Sequence, residues 1–161
     1  MKLRLLDVIS LNLCLVAVEP VDSVRNLGVI LDSELSMRVH IRKLSSIFFI
    51  HLRRLRKFRP LIDTASAQRF VSAFILSRFD YCNAVLGGLP TSKLAPLQRV
   101  LNAAASFLAG ATPRTHVNGI MKLLHWLPIA YWIRFKLCAL VHGVHNGNSH
   151  SYLIYTTTPI S

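Results

Sequence analysis

Basic side chains gather in one stretch of the sequence that contains no acidic neighbour. Between Leu35 and Ile62 there is no Asp or Glu, although this stretch holds eight Lys and Arg residues. They are Arg38, Arg42, Lys43, Arg53, Arg54, Arg56, Lys57 and Arg59. Solvated helices commonly pair cations with carboxylates four residues away. An unpaired run therefore favours a polyanionic partner, either nucleic acid or an anionic membrane surface, and the formal net charge of +12 strengthens this expectation.

Acidic side chains are too few and too scattered to build a catalytic centre. The 161 residues include seven Asp and Glu, no two of them adjacent, and none follows Asp80. General acid–base catalysis and Mg²⁺ binding both need carboxylates placed together. The sequence also lacks a P-loop, a dinucleotide-binding fingerprint, a nucleophile elbow and a zinc-protease motif. We therefore predict no enzymatic activity, no cofactor and no small-molecule substrate.

The cysteine and histidine residues do not have the pattern of a metal site. Cys14, Cys82 and Cys138 are odd in number and far apart, which fits a reducing intracellular compartment, nuclear or cytoplasmic, better than a disulfide framework. Cys138, His142 and His145 would share one helix face, but a fourth ligand is missing. We expect these three side chains to belong to a buried core face.

The first 34 residues predict β structure. Residues 15–18 and 27–31 are short β-branched runs separated by turn-forming residues, so we expect two strands that pair as a hairpin with a loose loop. Gly28 inside the second run suggests a bulge or a close backbone approach. The apolar run that ends at Val18 is too short and too polar to span a bilayer.

From Ser36 the apolar spacing changes to three and four residues, which predicts a helix over 36–58 with Ser36 as its N-cap and Pro60 after its end. The expected buried stripe is Met37, Ile41, Leu44, Phe48, Leu52 and Leu55, with Ile47, His51 and Phe58 alongside. The cations predicted to lie together on the opposite face are Arg38, Arg42, Arg53 and Arg56, flanked by Lys43, Arg54 and Lys57.

The rest of the chain predicts further helices. A second should begin at a cap on Asp63 or Thr64, bury Ala67, Phe70, Val71, Phe74 and Ile75, and run to the glycines at 87 and 88. A third begins after Thr91 and Ser92, with Pro96 near its first turn and Gly110 at its end. Its buried stripe is Leu94, Leu97, Leu101, Ala104 and Leu108.

Residues 117–124 and 129–144 predict two more helices, and His125 between them is expected to be a core or capping residue. The predicted fold is mainly α, with a short N-terminal β-hairpin followed by a bundle of four or five helices and a frayed tail over 149–161.

Several phrases, in this order along the chain, resemble the C-terminal region of reverse transcriptases from non-LTR (LINE-type) retrotransposons. The phrases are Val24-Arg25-Asn26-Leu27-Gly28-Val29-Ile30-Leu31-Asp32-Ser33-Glu34-Leu35-Ser36, Ser77-Arg78-Phe79-Asp80-Tyr81-Cys82-Asn83-Ala84, Gly88-Leu89-Pro90, Leu97-Gln98-Arg99-Val100, Asn102-Ala103-Ala104 and Leu124-His125-Trp126-Leu127-Pro128. The resemblance extends over about residues 15–153. Each phrase is modestly specific alone, and their common order makes the resemblance specific.

The resemblance implies roles for two parts of the chain. Leu27, Gly28 and Val29 would lie in a primer-grip element, so that residues 1–34 are a remnant of palm and primer-grip strands. Residues 35–148 would form a helical thumb-like domain that holds an RNA–DNA hybrid or RNA by phosphate contacts. The chain departs from the family because the metal-binding aspartates of the palm are absent. Two-metal phosphoryl transfer is therefore not expected, and the chain is interpreted as a truncated or decayed copy.

Two other interpretations remain open from the sequence. The helices could form a host-recruited interaction module that binds protein or an anionic membrane, or the chain could be a non-functional relic. The stretch around 27–58 is also similar to an N-terminal segment assigned to an AlkB-like family. The His-x-Asp iron motif of that enzyme class is missing here, so this similarity implies no activity.

Overall fold

The computed structural model describes residues 11–13, 16–18, 21–81, 83–110, 117–148 and 153. The chain divides into two compact units, Met1–His40 and Ile41–Ser161. Strands occupy the first unit, and the second is built from helices. The fold is mainly α, with β-hairpin structure followed by five helical segments, which confirms the predicted fold class. The predicted tail over 149–161 lies, apart from residue 153, outside the described residues.

The N-terminal unit contains two local hairpins. Strand β1 (Leu11–Leu13) pairs antiparallel with β2 (Val16–Val18), and β3 (Ser23–Asn26) pairs antiparallel with β4 (Val29–Asp32). The predicted pairing of 15–18 with 27–31 is therefore wrong, because each run pairs with its immediate neighbour. A two-residue turn closes a hairpin at a smaller entropy cost than a loop of several residues does.

The turn between β3 and β4 is formed by Leu27 and Gly28, since Asn26 pairs directly with Val29. Both turn residues have positive φ, 45° for Leu27 and 87° for Gly28. This is the pattern of a type I′ turn, whose twist matches that of the strands and which favours glycine at the second position. Gly28 is thus a turn residue, so of the two expectations for it, a bulge or a close backbone approach, the bulge is wrong.

A hydrogen-bonded connection joins β4 to the first helix, α1 (Arg38–Phe58). The carboxylate of Asp32 accepts hydrogen bonds from the Ser36 amide and hydroxyl, and the hydroxyl bond is the main reason that the pKa of Asp32 is lowered. The helix begins at Arg38, two residues after the predicted cap. Ser36 Oγ still accepts a long hydrogen bond of 3.4 Å from the Arg38 amide.

Helix α1 packs one face into the helical unit through Ile41, Ser45, Phe48, Leu52 and Leu55. The predicted stripe is confirmed at these four apolar positions and at Met37, whereas Leu44 is half-buried. Phe58, expected beside the stripe, is exposed. The helix ends at a 3₁₀ turn over Arg59–Leu61, where Pro60 cannot donate the next helical hydrogen bond.

The second helical segment is continuous from Thr64 to Asp80 but changes pitch in the middle. Helix α2 (Thr64–Val71) is capped by Asp63, whose carboxylate accepts a hydrogen bond from the Ser66 amide at 3.2 Å. A π-helical turn over Ser72–Leu76 then leads into α3 (Ser77–Asp80). The predicted Asp63 cap is confirmed. The predicted continuation to Gly87 and Gly88 is wrong, because Tyr81 takes an extended conformation and a 3₁₀ turn follows over Asn83–Leu86.

The π turn is stabilised by Ser77. The Ser77 amide bonds to the Ser72 carbonyl, five residues back, and its hydroxyl donates to the Ala73 carbonyl at 2.6 Å. The hydroxyl thus replaces the amide bond that Ala73 would accept in an α-helix. The wider turn keeps residues at intervals of four in line. Ala67, Val71, Ile75 and Phe79 are consequently all buried.

Helix α4 (Thr91–Leu108) forms the centre of the helical unit, in contact with α2 and with two later helices, α5 (Val117–Leu123) and α6 (Ile129–His145). Its predicted buried stripe is confirmed in full. Pro96 occupies the sixth helical position, beyond the predicted first turn. The side chain of Gln98 links α4 to α5 and α6. Its amide nitrogen donates to Asn102 Oδ1 at 2.8 Å and lies 3.8 Å from Met121 Sδ on α5. Its amide oxygen accepts a hydrogen bond from the Ile129 amide of α6 at 2.8 Å.

Helix α5 ends in a left-handed cap formed by His125. His125 has φ of 55°, its amide bonds to the Lys122 carbonyl, and the Trp126 amide bonds to the Met121 carbonyl at 2.9 Å. This pair of bonds is a Schellman motif, so the predicted capping role is confirmed. Among the described residues, no helix is long and apolar enough to cross a membrane.

The core position of α4 gives a stability prediction. Leu97 is completely buried, so Leu97→Ala is expected to lower the free energy of unfolding by about 2–5 kcal/mol through lost burial and a residual cavity. Leu123 is 82% exposed, and Leu123→Ala is expected to change it by less than about 0.5 kcal/mol. Urea unfolding followed by circular dichroism measures both values. Equal effects of the two substitutions would contradict the described packing of α4.

Candidate nucleic-acid interface

All seven predicted phosphate-binding cations lie on α1, and each of their side chains is exposed. The seven are Arg38, Arg42, Lys43, Arg53, Arg54, Arg56 and Lys57. Arg38 belongs to the N-terminal unit, which ends at His40. The other six belong to the helical unit, and these six cations are called the basic face below. Their exposure is what phosphate binding requires.

The centre of the exposed surface of α1 differs from the prediction. Ser45 is buried with the apolar stripe, and this extends the buried arc toward Arg56. At about 100° per residue, Lys43 and Lys57 then lie nearest the centre of the exposed arc, with Arg53 and Arg54 on either side of it. Arg56 and Arg42 lie nearer its edge. The sequence predicted Arg38, Arg42, Arg53 and Arg56 on the opposite face, with Lys43, Arg54 and Lys57 at its flanks. This arrangement is corrected, because Lys43 and Lys57 lie opposite the buried stripe and Arg42 and Arg56 lie toward its edge.

Along the axis of α1 the basic face consists of two clusters. Arg42 and Lys43 form the first cluster, and the second begins at Arg53, ten residues after Lys43. At about 1.5 Å per residue the two clusters are about 15 Å apart. The exposed surface between them is uncharged, and Phe49 and Ile50 there are 39% and 43% exposed.

The helical unit offers almost no counter-charge to this face. From residue 41 onward the sequence has fifteen Lys and Arg but only two acidic residues, Asp63 and Asp80. Asp63 caps α2, and Asp80 accepts hydrogen bonds from Lys136 Nζ at 2.7 Å and from Trp132 Nε1 at 3.3 Å. That Lys136–Asp80 pair is the only ion pair in the part of the chain that the structure describes. The cations of the basic face therefore have no carboxylate partner among the described residues.

Arg59, the last cation of the sequence run, has a structural role. Its Nη1 donates a hydrogen bond to the Ile62 carbonyl at 3.2 Å, and its guanidinium carbon lies 5.8 Å from the centroid of the Phe107 ring. The side chain is half-buried. Arg59 thus joins the end of α1 to the end of α4 and is not part of the basic face.

Sequence reasoning missed a row of exposed aromatic rings beside the basic face. Phe70 and Phe74 were predicted to be buried, but they are 38% and 40% exposed. The Phe74 ring stacks on His51, with centroids 5.6 Å apart and planes 11° apart, and on Phe70, with centroids 6.2 Å apart and planes 18° apart. The pKa of His51 is lowered, first by burial and then by the positive charges of Arg78 and Arg54.

One sequence signal would have found this row. Phe70, Phe74 and Arg78 follow one another at intervals of four residues. A second line, one position later in the sequence, has the same interval and consists of the buried residues Val71, Ile75 and Phe79. Two parallel lines of this kind indicate one buried face and one exposed face. The π turn, which keeps both lines straight, is not evident from the sequence.

The other predicted site residues lie elsewhere. Leu27, Gly28 and Val29 form the β3–β4 turn and the start of β4 in the N-terminal unit, and their primer-grip role stays a prediction. Cys138, His142 and His145 are exposed, so the expectation that they are buried is wrong. The buried residues of α6 are Ile129, Ile133 and Val144, and the three side chains lie on the exposed part of its surface. Among the described residues no group of three His, Cys, Asp or Glu side chains is placed to hold a metal ion.

A cleft of about 390 Å³ lies on the helical unit among the residues that the structure describes. It is lined mostly by leucines and Trp126, and His125 is its one titratable side chain. Such a cleft has no second acid or base with which His125 could share proton transfer. It therefore gives no reason to assign a reaction.

No protein-family model matches this chain, and no curated protein and no solved structure is similar enough to be matched to it. The function is therefore inferred from the chain's own residues.

A comparison of Arg59 with Arg53 tests whether the first stabilises the fold while the second lies only on the surface. Arg59→Gln is expected to lower the free energy of unfolding by about 1–2 kcal/mol, because it removes a charged hydrogen bond and a cation–π contact. Arg53→Gln, on the exposed surface of the same helix, is expected to change it by less than about 0.5 kcal/mol. Urea unfolding of the two variants provides the comparison. A larger loss for Arg53→Gln than for Arg59→Gln would contradict the assignment.

Proposed function

We propose that this chain is a non-catalytic, thumb-like segment of a non-LTR retrotransposon reverse transcriptase. In this proposal the basic face of α1 binds the phosphates of a template–primer duplex, an RNA–DNA hybrid or RNA. The observation that carries the proposal is the set of six exposed cations that have no carboxylate partner among the described residues. The ordered phrases that resemble such polymerases support the same assignment.

The spacing of the two cation clusters suits a duplex of A-form. Such a duplex has a wide, shallow minor groove lined by 2′-hydroxyls, with a phosphate backbone along each edge. Clusters about 15 Å apart can contact phosphates on both edges, while the uncharged surface around Phe49 and Ile50 faces the sugars. Contacts of this kind hold the duplex by its shape and charge without reading sequence.

A membrane surface fits α1 less well than nucleic acid does. An interfacial helix inserts its apolar face into the lipid and leaves its cations at the headgroups. The apolar face of α1 is already occupied by the core of the helical unit, since Phe48 and Leu52 are at most 1% exposed. Four of the six cations are arginines, whose planar guanidinium groups bind phosphate in a bidentate manner.

In this proposal the chain has no catalytic role, because its carboxylates are not placed to bind metal ions together. Two-metal phosphoryl transfer needs acidic ligands close together. In the helical unit Asp63 caps one helix and Asp80 joins α3 to α6, so both carboxylates serve the fold. The chain would contribute duplex holding to a polymerase whose reaction occurs on other residues.

A second candidate function arises from α6. Tyr131 and Phe135, four residues apart on one face of this helix, are 59% and 62% exposed, and exposed apolar surface of this kind can bind a protein partner. An interaction module of this type would bind its partner at high salt. Nucleic-acid binding through the basic face would instead weaken steeply as salt is added.

The direct test is an anisotropy titration of the purified chain against a labelled, blunt RNA–DNA hybrid at several salt concentrations. With about four to six phosphate contacts, affinity should fall roughly 10²–10³-fold between about 50 and 200 mM salt. A variant with Lys43, Arg53, Arg54 and Lys57 changed to Gln should lose most of this affinity. Its salt slope should also fall by about one for each contact removed.

A charge-matched control separates the basic face from net charge alone. Changing Lys93, Arg99, Lys122 and Arg134 to Gln removes the same charge from α4, α5 and α6. This control should bind the hybrid nearly as well as the unmodified chain does. Equal losses in the two variants would mean that only overall charge matters and would contradict the proposal, as would binding to phosphatidylserine vesicles in preference to the hybrid.

A further inference from the structure

The half-buried ring of His51 and the exposed rings of Phe74 and Phe70 form one nearly parallel stack at the surface of the helical unit. Neighbouring planes differ by 11° and 18°, and both centroid distances lie in the range of offset stacking. The two phenylalanines come from successive turns of one helical segment, and His51 comes from α1. The stack therefore has a fixed geometry that two separate elements define.

Core packing does not account for these rings. The buried aromatic pair of this unit is Phe48 and Phe79, whose centroids are 4.6 Å apart and whose side chains are at most 2% exposed. Phe70 and Phe74 lie one position before buried residues and leave about two fifths of their surface in water. The π turn keeps them in line with Arg78 and so keeps the rings beside a cation.

The charges around the stack specify the chemistry of a ligand. Arg54 and Arg78 are close enough to His51 to lower its pKa, so the stack has an arginine on each of its two supporting elements. A ligand that satisfies both features has a flat π-surface and a negative charge. Nucleotides have this combination, and bases stack on aromatic side chains without regard to sequence.

We propose that the row of His51, Phe74 and Phe70 is a stacking platform for unpaired nucleobases, with Arg54 and Arg78 binding the adjoining phosphates. The inference rests on the proposed function in taking nucleic acid as the ligand, and it adds a single-stranded segment to the duplex. Arg54 belongs both to the basic face and to this platform. A duplex on the basic face would therefore continue into a single-stranded extension at the row.

The test uses a single-stranded RNA oligonucleotide with 2-aminopurine at one position, and a second oligonucleotide of equal length and charge whose bases are replaced by abasic sites. Phe70→Leu with Phe74→Leu keeps apolar side chains but removes the rings. This double variant is expected to bind the base-containing strand about tenfold more weakly and the abasic strand as before. Its salt slope should be unchanged, because no phosphate contact is lost.

Two further variants serve as controls for this result. Phe135→Leu removes an exposed ring from α6 and should leave binding unchanged. Phe74→Trp keeps a stacking surface and should retain both the affinity and the change in 2-aminopurine fluorescence on binding. Equal affinity of the Leu double variant and the unmodified chain for the base-containing strand would overturn the platform, as would equal affinity of the unmodified chain for the two oligonucleotides.

The blunt hybrid distinguishes failure of this inference from failure of the proposed function. If the hybrid binds through the basic face while the ring substitutions change nothing, only the platform is rejected. If the blunt hybrid does not bind but the single strand binds in a ring-dependent way, the duplex proposal is rejected and the platform stands.

Discussion

The shortage of internal counter-charge is the constraint on which the surface of the helical unit depends. Fifteen Lys and Arg residues face two aspartates from residue 41 onward, and both aspartates are engaged in holding helices. On α1, Lys57 lies four residues after Arg53 and three residues after Arg54. This spacing places like charges side by side, which destabilises an isolated helix. The buried face through Phe48 and Leu52 holds α1 in place despite this repulsion. A bound polyanion would relieve it, so binding and stability are expected to be linked.

The same packing that holds α1 also places the exposed rings. Phe48 on α1 packs against Phe79 in the core with the two rings tilted, and one turn further along α1 His51 stacks against Phe74 at the surface. The π turn over Ser72–Leu76, supported by the Ser77 hydroxyl, is the local feature that keeps Phe74 and Phe79 on their respective faces. Core and candidate platform are thus two sides of one helix contact, and a change in the π turn would alter both.

Much of the helical architecture could be predicted from the sequence, because apolar periodicity, the Asp63 cap and the glycine-terminated ends each have a local physical cause. The buried stripe of α4 is an example. Pairing of the strands was not predicted correctly, since periodicity does not decide whether a run pairs with its immediate neighbour or with a run further along the chain. The exposed side of Phe70 and Phe74 was missed because their four-residue spacing also fits a buried stripe, although a second line of residues, one position later, is the buried one. The π turn that keeps both lines straight depends on a hydroxyl–carbonyl bond, which the sequence does not reveal. The exposed cations of α1 were found because charge without nearby carboxylates is visible in the sequence itself.

The most direct measurement of the central claim is photocrosslinking of the whole chain to an RNA–DNA hybrid with a single-stranded extension, followed by mass spectrometry of the crosslinked peptides. A 4-thiouridine placed in turn in the duplex and in the extension reports which surface each part contacts. Duplex positions should crosslink to peptides covering 42–57, and extension positions to peptides covering 70–78. Crosslinks spread over every cation-bearing helix, or concentrated on α6, would contradict the account.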